Sequence, residues 1–167
     1  MKPKIAIFIN GPINSGKSSI ARELSSLLPG IYIDGYDLKS RTEESILFEL
    51  FVTQTIKNIL LEVLRISSED STPIVAYPLR KEDWILVKNS CHHANILPIV
   101  ITLSPTLQTT LTNRGGRELT AWEINRIKEM YDQGYHQREF SDLVLSNDHQ
   151  TAKESAARIL HFLKSKS

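Results

Sequence analysis

The sequence predicts an α/β protein: one three-layer α/β/α domain on a five-stranded, mainly parallel sheet. Five short runs rich in Ile, Val and Leu alternate with longer stretches of helical period, and strands that alternate with helices assemble into parallel sheets. The first run, Ile5 to Ile9, is apolar throughout, as in a strand covered on both faces. A chain of 167 residues with no repeat, linker or low-complexity tract suits a single domain over residues 1–167.

Each element has its own local signal. A glycine-rich turn after the first strand leads into a helix with Ile20, Leu24, Leu27 and Leu28 as its apolar face, and Pro29-Gly30 stops it near Leu28. Ile31-Tyr32-Ile33 forms a second strand, expected to lie beside the first. Ser40 and Glu43 have capping-box spacing and open a long helix to about Ile66, with Val52, Ile56, Ile59, Leu60 and Val63 on one face. Pro73 to Tyr77 is a third strand and Lys81 to about His92 a helix. Ile96 to Leu103 is the fourth strand, and Ser104-Pro105 fits an N-cap followed by a first helical residue. Thr120 with Glu123 opens a helix ending near Gly134, Leu143 to Leu145 is a fifth strand, and Thr151 with Glu154 opens the last helix. Ala156, Ile159, Leu160 and Leu163 form the buried stripe of that helix.

Composition excludes several function classes. Twenty Lys and Arg against nineteen Asp and Glu give a net charge of +1, which argues against a protein that coats nucleic acid or an anionic membrane. One cysteine, Cys91, allows neither an internal disulfide framework nor a four-cysteine zinc site. No run approaches the ~18 apolar residues of a membrane span, and the expected location is cytoplasmic. Cys91-His92-His93 resembles a metal cluster in composition only. Neighbours on a helix point about 100° apart, so these three read as a surface cluster at a helix end. His136 and His149 read as surface residues, Trp84 and Trp122 as core or groove residues, and Arg126 and Lys128 as a solvated helix face.

Sheets of this kind bind ligands beyond the carboxyl ends of their strands. Directly after the first strand stands Gly11-Pro12-Ile13-Asn14-Ser15-Gly16-Lys17-Ser18, a match to G-x-x-x-x-G-K-[ST]. Glycines at Gly11 and Gly16 let the backbone curl so that the amides of Asn14, Ser15, Gly16 and Lys17 point at an anion, and the following helix adds its positive end. Lys17 is expected to reach the β- and γ-phosphates of ATP. Ser18 offers a hard oxygen to Mg²⁺, and Ser19 lines the phosphate end.

The second strand ends Ile33-Asp34-Gly35-Tyr36-Asp37. Phosphoryl transfer needs a base for the acceptor hydroxyl and a carboxylate for Mg²⁺, and Asp34 and Asp37 offer two carboxylates at one strand tip. The same residues also suit a turn followed by a helix cap. Arg114-Gly115-Gly116-Arg117 places two guanidinium groups on a Gly-Gly hinge, within a lid of about 113–120 that could exclude water and neutralise phosphate charge. A solvated turn between helices is the plainer reading of that stretch.

These motifs, in this order, resemble the small P-loop kinases of the shikimate, gluconate and adenylylsulfate kinase group, and within it chloramphenicol phosphotransferase and its relatives. The likeness implies the P-loop nucleoside triphosphate hydrolase fold. It implies Asp37 as the base on the acceptor hydroxyl, from the Gly-x-Asp at Gly35-Tyr36-Asp37. It also implies Asp34 near metal and substrate, and Asn147 and Asp148 beside the adenine. The sequence departs from the group at its third strand, which ends Tyr77-Pro78-Leu79-Arg80 with no acidic residue. Tyr77-Pro78-x-Arg80 resembles the Phe-Pro-Arg of nucleoside monophosphate kinases. Arg80 is therefore a candidate substrate contact, or else an exposed arginine at a helix start.

The expected activity is ATP-dependent phosphorylation of a hydroxyl on a small-molecule acceptor, with Lys17, Asp37, Arg114 and Arg117 as its catalytic groups. In a nucleotide kinase, Arg41 and Arg80 would grip an acceptor phosphate instead. A regulator that binds ATP without transferring phosphate is the third reading. The acceptor and the oligomeric state are not legible in the sequence.

Overall fold

In a computed structural model, residues 3–38 and 48–166 are described. The apolar runs become β1 (Lys4–Asn10), β2 (Gly30–Asp34), β3 (Thr72–Ala76), β4 (Ile96–Leu103) and β5 (Leu143–Leu145). All pair in parallel, in the order β2-β3-β1-β4-β5. Six α-helices are present among the described residues: α1 (Lys17–Leu27), α2 (Phe48–Ser68), α3 (Lys81–His93), α4 (Leu107–Thr110), α5 (Ala121–Asp132) and α6 (Ala152–Ser165).

Side chains alternate across the strands, so β1 feeds two cores. Ala6 and Phe8 face one side, where Ile56, Ile59 and Val63 of α2 and Val87 and Cys91 of α3 cover them. Ile7 and Ile9 face the other, against Ile20 and Leu24 of α1 and Ala156, Ile159 and Leu163 of α6. This is the expected three-layer architecture, with the α2 stripe buried as its spacing predicts. No helix among the described residues is long and apolar enough to cross a membrane.

Several local expectations are corrected. Strand β2 does not border β1; β3 lies between them, pairing Ile7 with Ile74 on one side and Ile33 with Val75 on the other. Ser104 is not a cap, because its amide donates to Leu145 O (2.8 Å) and holds it extended beside β5. Thr106 caps α4 instead, its hydroxyl accepting from the Thr109 amide. Leu27 is 42% exposed and Trp122 68% exposed, outside either core. The Cys91-His92-His93 trio splits, with Cys91 buried under α3 and both histidines in solvent. Burial also pushes the Cys91 thiol up, to about 11. His136 is half-buried, its ring stacked on Tyr131. The boxes at Thr120/Glu123 and Thr151/Glu154 form as expected. Ser40, Arg41 and Glu43 lie outside the described residues.

Candidate active site

With β3 and β4 on either side of it, β1 is where the chain's connections reverse direction across the sheet. Crevices for ligands open at such points. The loop from Gly11 to Gly16 fills this one. Gly11 has φ 148°, and a Cβ there would stand 2.7 Å from Ser15 Oγ and 3.0 Å from Leu103 O. No other residue fits that turn. Asn14 and Gly16 also take positive φ, 62° and 98°.

The loop's carbonyls are spoken for by side chains. Lys17 Nζ donates to Pro12 O (2.7 Å), Arg114 Nη1 to Asn14 O (3.1 Å) and Asn147 Nδ2 to Ser15 O (2.9 Å). The first amides of α1 have no intrahelical acceptor. The Ser15 amide, expected to point at the anion, donates instead to Pro12 O (3.3 Å), and the amides that remain at the start of α1 can cradle an anion. Ser15 Oγ and Asn147 Oδ1 are buried without a partner, as expected of a site built to receive a polar ligand. Lys17 is 6% exposed. Burial lowers its pKa to about 7, opposed by the nearby Asp34 carboxylate. Ser18 is half-buried beside it, and Ser19 is exposed on the first turn of α1.

Asp34 ends β2. Its Oδ2 accepts from the Tyr32 hydroxyl (3.0 Å) and its Oδ1 from the Tyr36 amide (3.0 Å). Burial pushes the Tyr32 phenol above its usual pKa, with the Asp34 carboxylate acting in the same direction and the nearby Ser18 hydroxyl opposing it. Ser18 and Asp34 are few, hard oxygen donors, which suits Mg²⁺ bound largely through water and phosphate. Among the described residues no group of three or more His, Cys, Asp or Glu side chains could form a closed cage. Asp37 is exposed in the 3-10 helix Gly35–Leu38 that continues β2.

The tip of β3 is held by Asn10, fully buried at the end of β1. Its Oδ1 accepts from the Leu79 amide (2.8 Å) and its Nδ2 donates to Thr102 Oγ1 (3.2 Å). Arg80 follows, but its guanidinium lies on Asp83, Nη2 to Oδ1 at 3.0 Å and Nε to Oδ2 at 3.1 Å. Beside this tip the rings of Tyr36 and Tyr77 meet at 5.4 Å. Of the two arginines expected in a lid, Arg114 reaches the Gly11–Gly16 loop, whereas Arg117 pairs with Glu123 (2.7 Å) and is 61% exposed.

Next to the loop lies a cleft of about 880 Å³ lined by Thr106, Thr109, Arg114, Asp148, His149 and Gln150. Asp148 organises its floor. Burial acts to raise its pKa, but hydrogen bonds from Thr109, the Thr106 amide and hydroxyl, and Ser146 outweigh it and hold the carboxyl below its usual range. Sequence reasoning missed Asn10, Tyr32 and Asp83. Only Tyr32 left a signal, since it lies two residues before Asp34 in a strand and so shares its face.

A parallel sheet with a phosphate-binding loop on its central strand defines a P-loop nucleotide-binding fold. Comparison with protein-family models finds no match, and comparison with curated proteins finds none. Solved structures do match. A sugar kinase from a Janibacter species superposes with a TM-score of 0.72 at 11% identity, over 97% of this chain and 95% of that one. A gluconokinase from Sinorhizobium meliloti gives 0.66 at 16% identity over 99% and 98%. A shikimate kinase from Acinetobacter baumannii gives 0.62 at 20% identity over 99% and 94%. The chain thus has the fold of the small P-loop kinases.

Proposed function

We propose that this protein is a kinase that transfers the γ-phosphoryl group of ATP to a hydroxyl of a small molecule. One observation carries the reading. The loop after the central strand matches G-x-x-x-x-G-K-[ST], Gly11 to Ser18, and holds the buried Lys17 against Pro12 O (2.7 Å), while Asp34 ends β2 on the same edge of the sheet. A cationic phosphate grip and an acidic strand tip stand together on a fold shared with sugar, gluconate and shikimate kinases.

The loop amides and Lys17 hold the β- and γ-phosphates and stabilise charge on the transferring group. Ser18 and Asp34 are the residues that would hold Mg²⁺, which when bound neutralises phosphate charge. Asp37, exposed in the 3-10 helix after β2, orients the acceptor hydroxyl and takes its proton. The acceptor oxygen bonds to the γ-phosphorus as the bond to the β,γ-bridging oxygen breaks, and ADP leaves. Arg114, already against the loop, moves a short way onto the phosphates and helps to exclude water. The 880 Å³ cleft beside Asp148 is sized for the nucleoside.

The test is an acceptor screen. The protein is incubated with Mg-ATP and pooled metabolites, nucleotides, sugars and antibiotics, and mass spectrometry looks for a compound that gains a phosphate. A product that disappears with Lys17→Ala supports the reading. ATP binding with no phosphorylated product favours a nucleotide-binding regulator, a reading motivated by the lack of a carboxylate after β3, where Tyr77 to Arg80 stand.

A further inference from the structure

Asn14 is where the phosphate loop meets the root of the lid. Its side chain leaves the cradle, and its two amide hydrogens go to Thr110 O (2.8 Å) and Thr112 O (3.0 Å). Thr110 ends α4, and Thr112 lies just past it, its carbonyl also accepting from the Arg114 amide (3.0 Å). In return Arg114 Nη1 donates to the Asn14 carbonyl. The donor capacity of one asparagine amide is thus used completely, and three hydrogen bonds join two segments distant in sequence.

We propose that the Asn14 side chain is a positioning residue, fixing the lid root on the phosphate loop so that Arg114 stands beside the phosphates before they arrive. The plainer role for asparagine here is backbone tolerance, since φ is 62° and asparagine enters the left-handed region readily. Two substitutions separate these roles. Asn14→Gly keeps the backbone freedom and removes both side-chain bonds. Asn14→Asp keeps volume and left-handed tolerance but has no hydrogen to donate to either carbonyl.

If Asn14 positions the lid, amide hydrogen exchange across residues 110–117 quickens about tenfold or more in both variants. In Asn14→Gly, which adds no charge, Mg-ADP affinity then falls less than about threefold, because the loop amides and Lys17 remain. Turnover falls about tenfold with acceptor KM nearly unchanged, the pattern of a group that matters mainly in the transition state. Native exchange rates in Asn14→Gly overturn the proposal. So does a collapse of Mg-ADP binding with turnover per bound nucleotide unchanged, which would mark a purely local loop defect. Should Asn14→Gly fail to fold, Asn14→Asp carries the exchange test, with native exchange rates overturning the proposal, since its added carboxylate weakens nucleotide binding on its own account. Only the turnover arm rests on the kinase reading. Exchange and Mg-ADP binding are measured without acceptor, so a chain that phosphorylates nothing in the screen still decides this point.

Discussion

Replacing Gly35 by alanine tests how the acidic strand tip is held. Gly35 has no left-handed backbone to protect; its positive-φ counterparts are Gly11, Gly16, Gly116 and Gly134. What it lacks is room. A Cβ on Gly35 would stand 2.5 Å from Tyr77 Cδ2, 2.7 Å from Tyr77 Cβ and 2.8 Å from Tyr77 Cγ. Carbon atoms rest at about 3.5–4.0 Å, so the two segments must separate by about 1 Å. Tyr77 is 7% exposed and its amide is bonded to Ile9 O (3.2 Å), which leaves the segment from Asp34 to Asp37 to give way. Overpacking of this kind costs about 2–3 kcal/mol, a fall in Tm of about 4–12 °C for a chain of this size. Tyr77→Ala removes two of the three clashing atoms, so the double variant should be at least about 1 kcal/mol more stable than the two single effects predict. Chemical denaturation of the four proteins closes the cycle. A Tm for Gly35→Ala within 1 °C of native, or strict additivity, would refute the steric argument.

Two further outcomes follow from charges described above. Lys17, lowered to about 7 by burial against the opposing pull of Asp34, is mostly neutral at pH 8. Phosphates restore its charge, so Mg-ADP binding at pH 8 takes up about 0.9 proton per site, falling toward zero at pH 6. Calorimetry in buffers of different ionisation heat reads that number, and uptake below about 0.3 at pH 8 contradicts it. Asp83, 3% exposed, carries the Arg80 guanidinium, 17% exposed. Asp83→Ala removes this ion pair and the acceptor of the Arg80 amide (2.8 Å) at the start of α3, and should cost about 2 kcal/mol in urea unfolding, whereas a loss under about 0.5 kcal/mol would mean that neither bond is needed to hold that helix start.

The strands were readable because each is a continuous apolar run. Two helix starts were readable because Thr120/Glu123 and Thr151/Glu154 carry a complete local signal. Strand order was not, since pairing is decided by long-range crossovers, and proximity in sequence misplaced β2 beside β1. Ser104 misled for a similar reason: its cap chemistry is real, but the distant Leu145 carbonyl claims its amide. The phosphate loop is a local backbone device written in fixed residue types. Asn10, Tyr32 and Asn147 act only through partners that the folded sheet brings to them. Gly35 was legible as turn chemistry, yet its immediate reason is a tyrosine just past the end of β3.

The order of the elements also divides the molecule into exchangeable parts. Everything on the Asp34 flank of β1, namely β2, the 3-10 helix, α2, β3 and α3, comes from one uninterrupted stretch of chain inserted between α1 and β4. The phosphate loop, Arg114 and the Asp148 cleft come from the remainder. A single cassette therefore carries one side of the crevice, with Arg138 Nε on Leu79 O (3.1 Å) as a seam across its border. In a fold of this plan, one crossover at each end of that cassette could replace the acidic side of the crevice and leave the nucleotide grip in place.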